Sequence, residues 1–162
     1  MRVSLRNLGV LVGGVTVLVL GGQLPAQAAT GWQLKATNGK CWDIQGESSG
    51  SGAVVQLYSC KGNVVWQNFG IFGSQIGTGY LKCVAVDSGA IDSGLSQRDC
   101  NSADSKQHWT KISPGGDVYT FQNVYSGLCA TDTGISGGGS RVQLRMRECD
   151  GSAAQRFKAN HF

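Results

Sequence analysis

The side chains with the most evident chemistry in this 162-residue sequence are six cysteines, and each pair keeps the same company. Cys41 and Cys60 are followed by Gln67-Asn68-Phe69, Cys83 and Cys100 by Gln107-His108-Trp109, and Cys129 and Cys149 by Gln155-Arg156-Phe157. Thiols can ligate a metal, act as nucleophiles or oxidise to disulfides. No two of these cysteines stand at the short spacing of a zinc knuckle, and the histidines are His108 and His161 alone, so no metal site is expected. Neither histidine has a nucleophile pattern beside it. The neighbouring acids Asp43 and Glu47 come without any sign of the defined cleft that glycosidase carboxylates need. The expectation is a chain with no catalysis and no cofactor, whose cysteines are structural.

The N-terminus sets the redox context. Arg2 and Arg6 precede an uncharged, mostly apolar run from Leu8 to Leu20, and Ala26-Gln27-Ala28 supplies the small residues a signal peptidase reads. That run is about 13 residues, short of the roughly 20 that span a bilayer, and Gly21-Gly22 and Pro25 close it. Residues 1–29 therefore read as a signal peptide and the chain as secreted, with cleavage near Ala28 or Ala29, no membrane span, and a mature domain over 30–162. Without Arg2 and Arg6 there are 12 basic and 10 acidic residues, and no Lys/Arg run, so nucleic acid is not an expected partner. An even cysteine count in an exported chain reads as three disulfides.

The elements that hold these residues follow from the repeat. The gap within each Cys pair is 19, 17 and 20 residues, the gap from second Cys to Gln is 7, 7 and 6, and corresponding landmarks lie 40 to 49 apart. One supersecondary unit used three times explains this, over about 31–71, 72–113 and 114–162. Identical units close identical loops, which selects Cys41–Cys60, Cys83–Cys100 and Cys129–Cys149, each bridge worth about 3 kcal/mol on the chain-entropy account. Strands are expected over Trp32–Ala36, Cys41–Ile44, Val54–Tyr58 and Gln67–Phe72. The second repeat offers Tyr80–Val86, Leu95–Asp99 and His108–Ile112, and the third Tyr119–Asn123, Leu128–Thr131, Val142–Arg147 and Arg156–Ala159. Gly46 to Gly52 reads as too flexible for helix or strand. A unit of about 40 residues cannot bury a core alone, but three can share a closed all-β barrel. Phe69, Trp109 and Phe157 then point into that core, and each preceding Gln must hydrogen-bond either its own repeat or a ligand.

Three Cys pairs, each with a Gln-x-Trp or Gln-x-Phe triplet, resemble the ricin-B-type lectins, most of all the bacterial carbohydrate-binding modules, over about residues 31 to 162. The resemblance implies a β-trefoil. It also implies a sugar site in each active repeat: an Asp two residues after the first Cys, an aromatic two before the second, a Gln two earlier still, and an Asn-Gln pair opening the triplet. An aromatic face packs on the sugar ring, a carboxylate accepts from vicinal hydroxyls, and amides donate and accept. Repeat one fits, with Asp43, Gln56, Tyr58 and Gln67, although Trp66 stands where Asn is expected and Asn63 is an alternative to complete the set.

Repeats two and three depart from the pattern. Ala85 and Thr131 replace the Asp, with Asp87 and Asp132 displaced along the chain, and Arg98 and Arg147 replace the aromatic. Arg145 replaces the early Gln of repeat three, and Lys106 and Ala154 precede Gln107 and Gln155. The two arginines read either as solvated replacements or as a basic site for acidic or sulfated sugars. The expected function is a secreted, monomeric, non-catalytic carbohydrate-binding protein with one competent site, its partner a polysaccharide or glycan. The alternative is a secreted trefoil that binds or inhibits a protein.

Overall fold

The computed structural model describes residues 31–162; the expected signal peptide lies outside the described residues. Twelve strands fall in three sets of four. The first set is β1 (Trp32–Ala36), β2 (Lys40–Ile44), β3 (Val54–Ser59) and β4 (Phe69–Phe72); the second is β5 (Gln75–Thr78), β6 (Cys83–Val86), β7 (Leu95–Arg98) and β8 (Trp109–Gly115). The third is β9 (Val118–Asn123), β10 (Cys129–Ser136), β11 (Val142–Arg147) and β12 (Phe157–His161). No α-helix occurs among the described residues, and no helix there is long and apolar enough to cross a membrane.

The outer strands of each set form a closed antiparallel ring: β1 pairs β4 and β12, β4 pairs β5, β8 pairs β9, and β9 pairs β12. A single bridge, Gln75 to His108, closes the gap between β5 and β8. The inner strands make three hairpins, β2–β3, β6–β7 and β10–β11, which cap one end of the ring. They join each other where β3 pairs with both β7 and β11. Closure leaves few strand edges open to other chains.

Alternation along each strand sends one face inward. Leu34, Phe69, Ile76, Trp109, Phe121 and Phe157, one from each ring strand, are buried in one common core, as expected for the three triplet aromatics. The residue after each first Cys, Trp42, Val84 or Ala130, adds to that core from the hairpins. Its threefold symmetry is broken by size. Trp42 reaches Phe69, Phe121 and Phe157 edge-on, at ring-centre distances of 5.7, 5.4 and 5.3 Å, and so fills the middle of the core that Val84 and Ala130 are too small to occupy. The three disulfides are Cys41–Cys60, Cys83–Cys100 and Cys129–Cys149, one in each set, and no cysteine is free.

Several local expectations are corrected. β5 was not expected, because Gln75-Ile76-Gly77-Thr78 carries one strong apolar residue among glycine punctuation; its pairing with β4 over four residues makes the strand. The expected Tyr80–Val86 strand begins only at Cys83, since Leu81 turns the chain with φ of 59°. Gln67 belongs to a 3-10 turn, Val65–Gln67, and not to β4. Another 3-10 turn, Gln45–Glu47, opens the Gly-Ser loop, with Gly46 at φ of 70°. Two side chains of the second set hold that loop. Gln97 Nε2 donates to the carbonyls of Ser48 and Gly50, and the Tyr80 hydroxyl donates to that of Glu47.

Two glycines near β5 separate close packing from mere proximity. A Cβ on Gly79 would lie 2.3 Å from the Val65 carbonyl oxygen, a backbone atom that cannot swing away. A Cβ on Gly77 would lie 2.6 Å from the Phe72 ring, a side chain that is itself half exposed. Gly79→Ala is therefore expected to cost about 1–3 kcal/mol, and Gly77→Ala less, as measured by chemical denaturation. Equal costs would contradict this packing.

Candidate functional site

In all three sets the triplet glutamine does the same work. Gln67 Oε1 accepts from the Lys61 amide at 2.8 Å while its Nε2 donates to the Ser59 carbonyl at 3.0 Å. Gln107 does this with Asn101 N and Asp99 O, at 2.9 and 3.0 Å, and Gln155 with Asp150 N and Glu148 O, at 3.0 and 2.7 Å. These partners are always the residues on either side of the second cysteine. One side-chain amide offers both an acceptor and a donor, so it can stand in for a missing strand neighbour at that point. Each glutamine is buried at the end of a 3-10 turn, Val65–Gln67, Ser105–Gln107 or Ala153–Gln155. The choice left open for these residues is thus settled towards the backbone of their own repeat.

Gln67 was expected to touch ligand; the structure places it behind Asp43, bonded within the protein. It is fully buried, its Oε1 also accepts from Gln33 Nε2, and its second N–H goes to Asp43 Oδ2 at 2.9 Å. All four of its hydrogen-bonding positions are filled from within the protein. The other three expected residues come from the β2–β3 hairpin. Trp42 and Ile44 of β2 and Val55 and Leu57 of β3 face the core, which turns Asp43, Gln56 and Tyr58 to the opposite face. Asp43 and Gln56 are direct cross-strand partners, and Gln56 Nε2 donates to Asp43 Oδ1 at 2.9 Å.

Each Asp43 oxygen therefore holds one amide hydrogen bond and keeps capacity for another. The carboxyl is nearly buried, and burial pushes its pKa above the ordinary 3.8, helped by the charge of Glu47. The amides of Gln56 and Gln67, and the Arg141 guanidinium, pull the other way. Asp43, Gln56 and Tyr58 line one cleft of about 140 Å³, with Gly46, Glu47, Lys61, Trp66 and Arg141 completing its wall. Of the two residues considered for completing the set, Trp66 lines this cleft and Asn63 is exposed outside its lining. Lys61 Nζ lies 5.7 Å from the centre of the Tyr58 ring. Glu47, Lys61 and Arg141 were missed by sequence reasoning. Arg141 is the last residue of the loop joining β10 to β11 in the third set, and no spacing within repeat one could have pointed to it.

The equivalent faces of the other sets are built differently. Asp87 accepts from the Ser96 hydroxyl at 2.7 Å and from Arg98 at 3.1 Å. Arg147 pairs with Asp92 of the second set, and Asp132 accepts from the Gly134 amide within its own turn. Both arginines are thus engaged in ion pairs while their side chains stay partly in solvent. Thr131 Oγ1 accepts the spare N–H of Gln155 at 3.1 Å, where Asp43 accepts that of Gln67.

A closed six-strand ring under three hairpins, with a pseudo-threefold repeat of the glutamine contacts, defines a β-trefoil. Comparison with protein families matches residues 31–157 to the ricin-type beta-trefoil lectin domain. The chain belongs to that family, and membership in a family of lectin domains points to carbohydrate binding. No curated protein matches the chain. Among solved structures it is similar to ThreeFoil, a designed threefold-symmetric protein, with a TM-score of 0.72 and 18% identity over 82% of this chain and 99% of that one. It is also similar to the earthworm R-type lectin C-half in complex with GalNAc (TM-score 0.64, 16% identity, 82% and 98% covered). A third is the agglutinin from Abrus precatorius (TM-score 0.69, 22% identity, 80% and 48% covered). At these identities the structural likenesses establish the fold.

The repeated glutamine contact separates scaffold from site. Gln107→Met leaves the Asn101 amide and the Asp99 carbonyl without their partner and is expected to cost about 1–3 kcal/mol, with glycan binding unchanged. Gln67→Met is expected to cost as much in stability and to weaken glycan binding too, through Asp43. Denaturation and glycan titration of both variants check this; equal binding by the two would contradict it.

Proposed function

We propose that this chain is a secreted, non-catalytic lectin that holds a sugar in the cleft of repeat one. The observation that carries the reading is the carboxylate of Asp43, oriented by two amides and still able to accept, in a cleft walled by Tyr58 and Trp66. Asp43 accepts from vicinal hydroxyls, and Gln56 contributes its remaining amide capacity beside it. Tyr58 and Trp66 offer flat apolar faces for the C–H face of a sugar ring at low entropic cost. Gln67 acts one layer behind, as a positioning residue. Secretion rests on the signal-peptide pattern of residues 1–29.

A second reading, a trefoil that binds or inhibits a protein, draws on the second and third sets, whose outer faces carry ion pairs in place of an acceptor and a ring. It predicts that no glycan is retained by the unmodified protein. Fold alone does not choose between these readings, because one fold hosts many functions.

A glycan array on the secreted protein tests the proposal. Asp43→Ala and Tyr58→Ala should each weaken the retained glycan, the first by roughly ten- to hundredfold, as for loss of a hydrogen bond to a charged group. Binding should also fall on acidification, because protonated Asp43 loses acceptor capacity, and it should fall at a higher pH than an ordinary aspartate would give. The linkage sign for folding is opposite. A raised carboxyl pKa makes ionisation of Asp43 unfavourable to the fold, so its protonation does not destabilise the protein. Titration from pH 7 downward, with circular dichroism alongside, should show binding lost before structure. An undiminished Asp43→Ala variant would overturn the site.

A further inference from the structure

A larger cleft, of about 470 Å³, lies between β1, β12 and the turn joining β8 to β9. It shares no lining residue with the repeat-one cleft. Lys35, Arg156 and Lys158 line it, with no acidic residue among the lining side chains. Lys35 of β1 and Lys158 of β12 are direct cross-strand partners, so two like charges face each other in register. That arrangement is normally unfavourable. Arg156 lies two residues before Lys158, so β-strand alternation brings it to the same outward side, while Phe157 and Ala159 face the core. None of these three cations joins the ion pairs found among the described residues, which are Lys82–Asp99, Arg98–Asp87 and Arg147–Asp92. Ala36, Pro114 and Val118 give the cleft an apolar side.

We infer that this cleft is a second binding site, for the sulfate groups of a sulfated polysaccharide. Three unpaired cations around a concavity focus a positive field, and an anion seated among them relieves the repulsion between Lys35 and Lys158. Two of the three are ammonium groups, which suit a compact, multiply accepting anion as point charges. The concave, partly apolar lining can receive a sugar ring beside its charge, a feature that a flat phosphate-bearing surface would not use. Membership in a lectin family favours a glycan over nucleic acid as the carrier of that charge. Binding here does not require the repeat-one site, and a polymer that reaches both clefts gains by avidity.

Dextran sulfate, neutral dextran and a DNA duplex, each immobilised, test this at low and at physiological salt. The full protein should retain dextran sulfate over neutral dextran and over DNA, and weaken as salt rises. Lys35→Gln with Lys158→Gln should reduce dextran sulfate binding at least tenfold. Lys82→Gln with Lys106→Gln, which removes the same charge elsewhere, should leave it within twofold. Both lysines of the cleft are exposed, so the double variant is expected to fold, and its melting transition checks that. Equal loss in the two double variants, an undiminished cleft variant, or DNA held as tightly as dextran sulfate would each overturn the assignment. Failure of Asp43→Ala to weaken a neutral glycan would bear on the repeat-one site alone.

Discussion

A single side-chain amide, used three times, governs how each repeat ends. The triplet glutamine grips the chain on both sides of the second cysteine, at one carbonyl and one amide. The glutamine itself is buried in each repeat, and a buried amide without partners is costly, so its bonds to the chain around the second cysteine tie that exposed loop to the interior. The disulfide ties that same cysteine back to the start of the hairpin. Together they fix where the 3-10 turn stands, and the aromatic two residues later falls inward. Phe69, Trp109 and Phe157 owe their common core to that geometry.

The scaffold and the site share this glutamine but use different parts of it. Its carbonyl and one N–H serve the loop, and the remaining N–H is free for whatever stands two residues after the first cysteine. In repeat one that residue is Asp43, where desolvation raises the carboxyl pKa and two amides and an arginine oppose that rise only in part. In repeat three it is Thr131, which satisfies Gln155 without placing a charge on the outer face. In repeat two it is Ala85, which accepts nothing. The second and third repeats could lose the acceptor because the loop contacts do not depend on it. Repeat one also leans on its neighbours: Gln97 and Tyr80 hold the loop carrying Gly46 and Glu47, and Arg141 comes from the third set.

What was legible in the sequence was what recurs. Three sets of Cys, Cys and Gln-x-aromatic implied a shared closed all-β barrel, the disulfide pairing and the inward aromatics, and the family resemblance they carry implied the trefoil. The resemblance to the ricin-B-type lectins, and not any spacing alone, grouped Asp43, Gln56 and Tyr58; alternation along β2 and β3 is why they share a face. β5 was not legible, because its four residues include one strong apolar side chain and its strand character comes from lying against β4. The placement of Gln67 behind Asp43 was also hidden, since spacing gives a residue's neighbourhood but not which of its atoms are already bonded. Arg141 in the repeat-one cleft, and the meeting of Lys35 with Lys158, depend on contacts between distant strands, which no local pattern encodes.

The central claim is that three structurally equivalent units carry one sugar-accepting carboxylate, held by the amide that the other two use for the scaffold alone. The number of binding sites per chain tests it most directly. Isothermal titration with a neutral glycan that the protein retains should give one site per chain. Three equivalent sites, or two, would contradict the account, because acceptance would then not depend on Asp43.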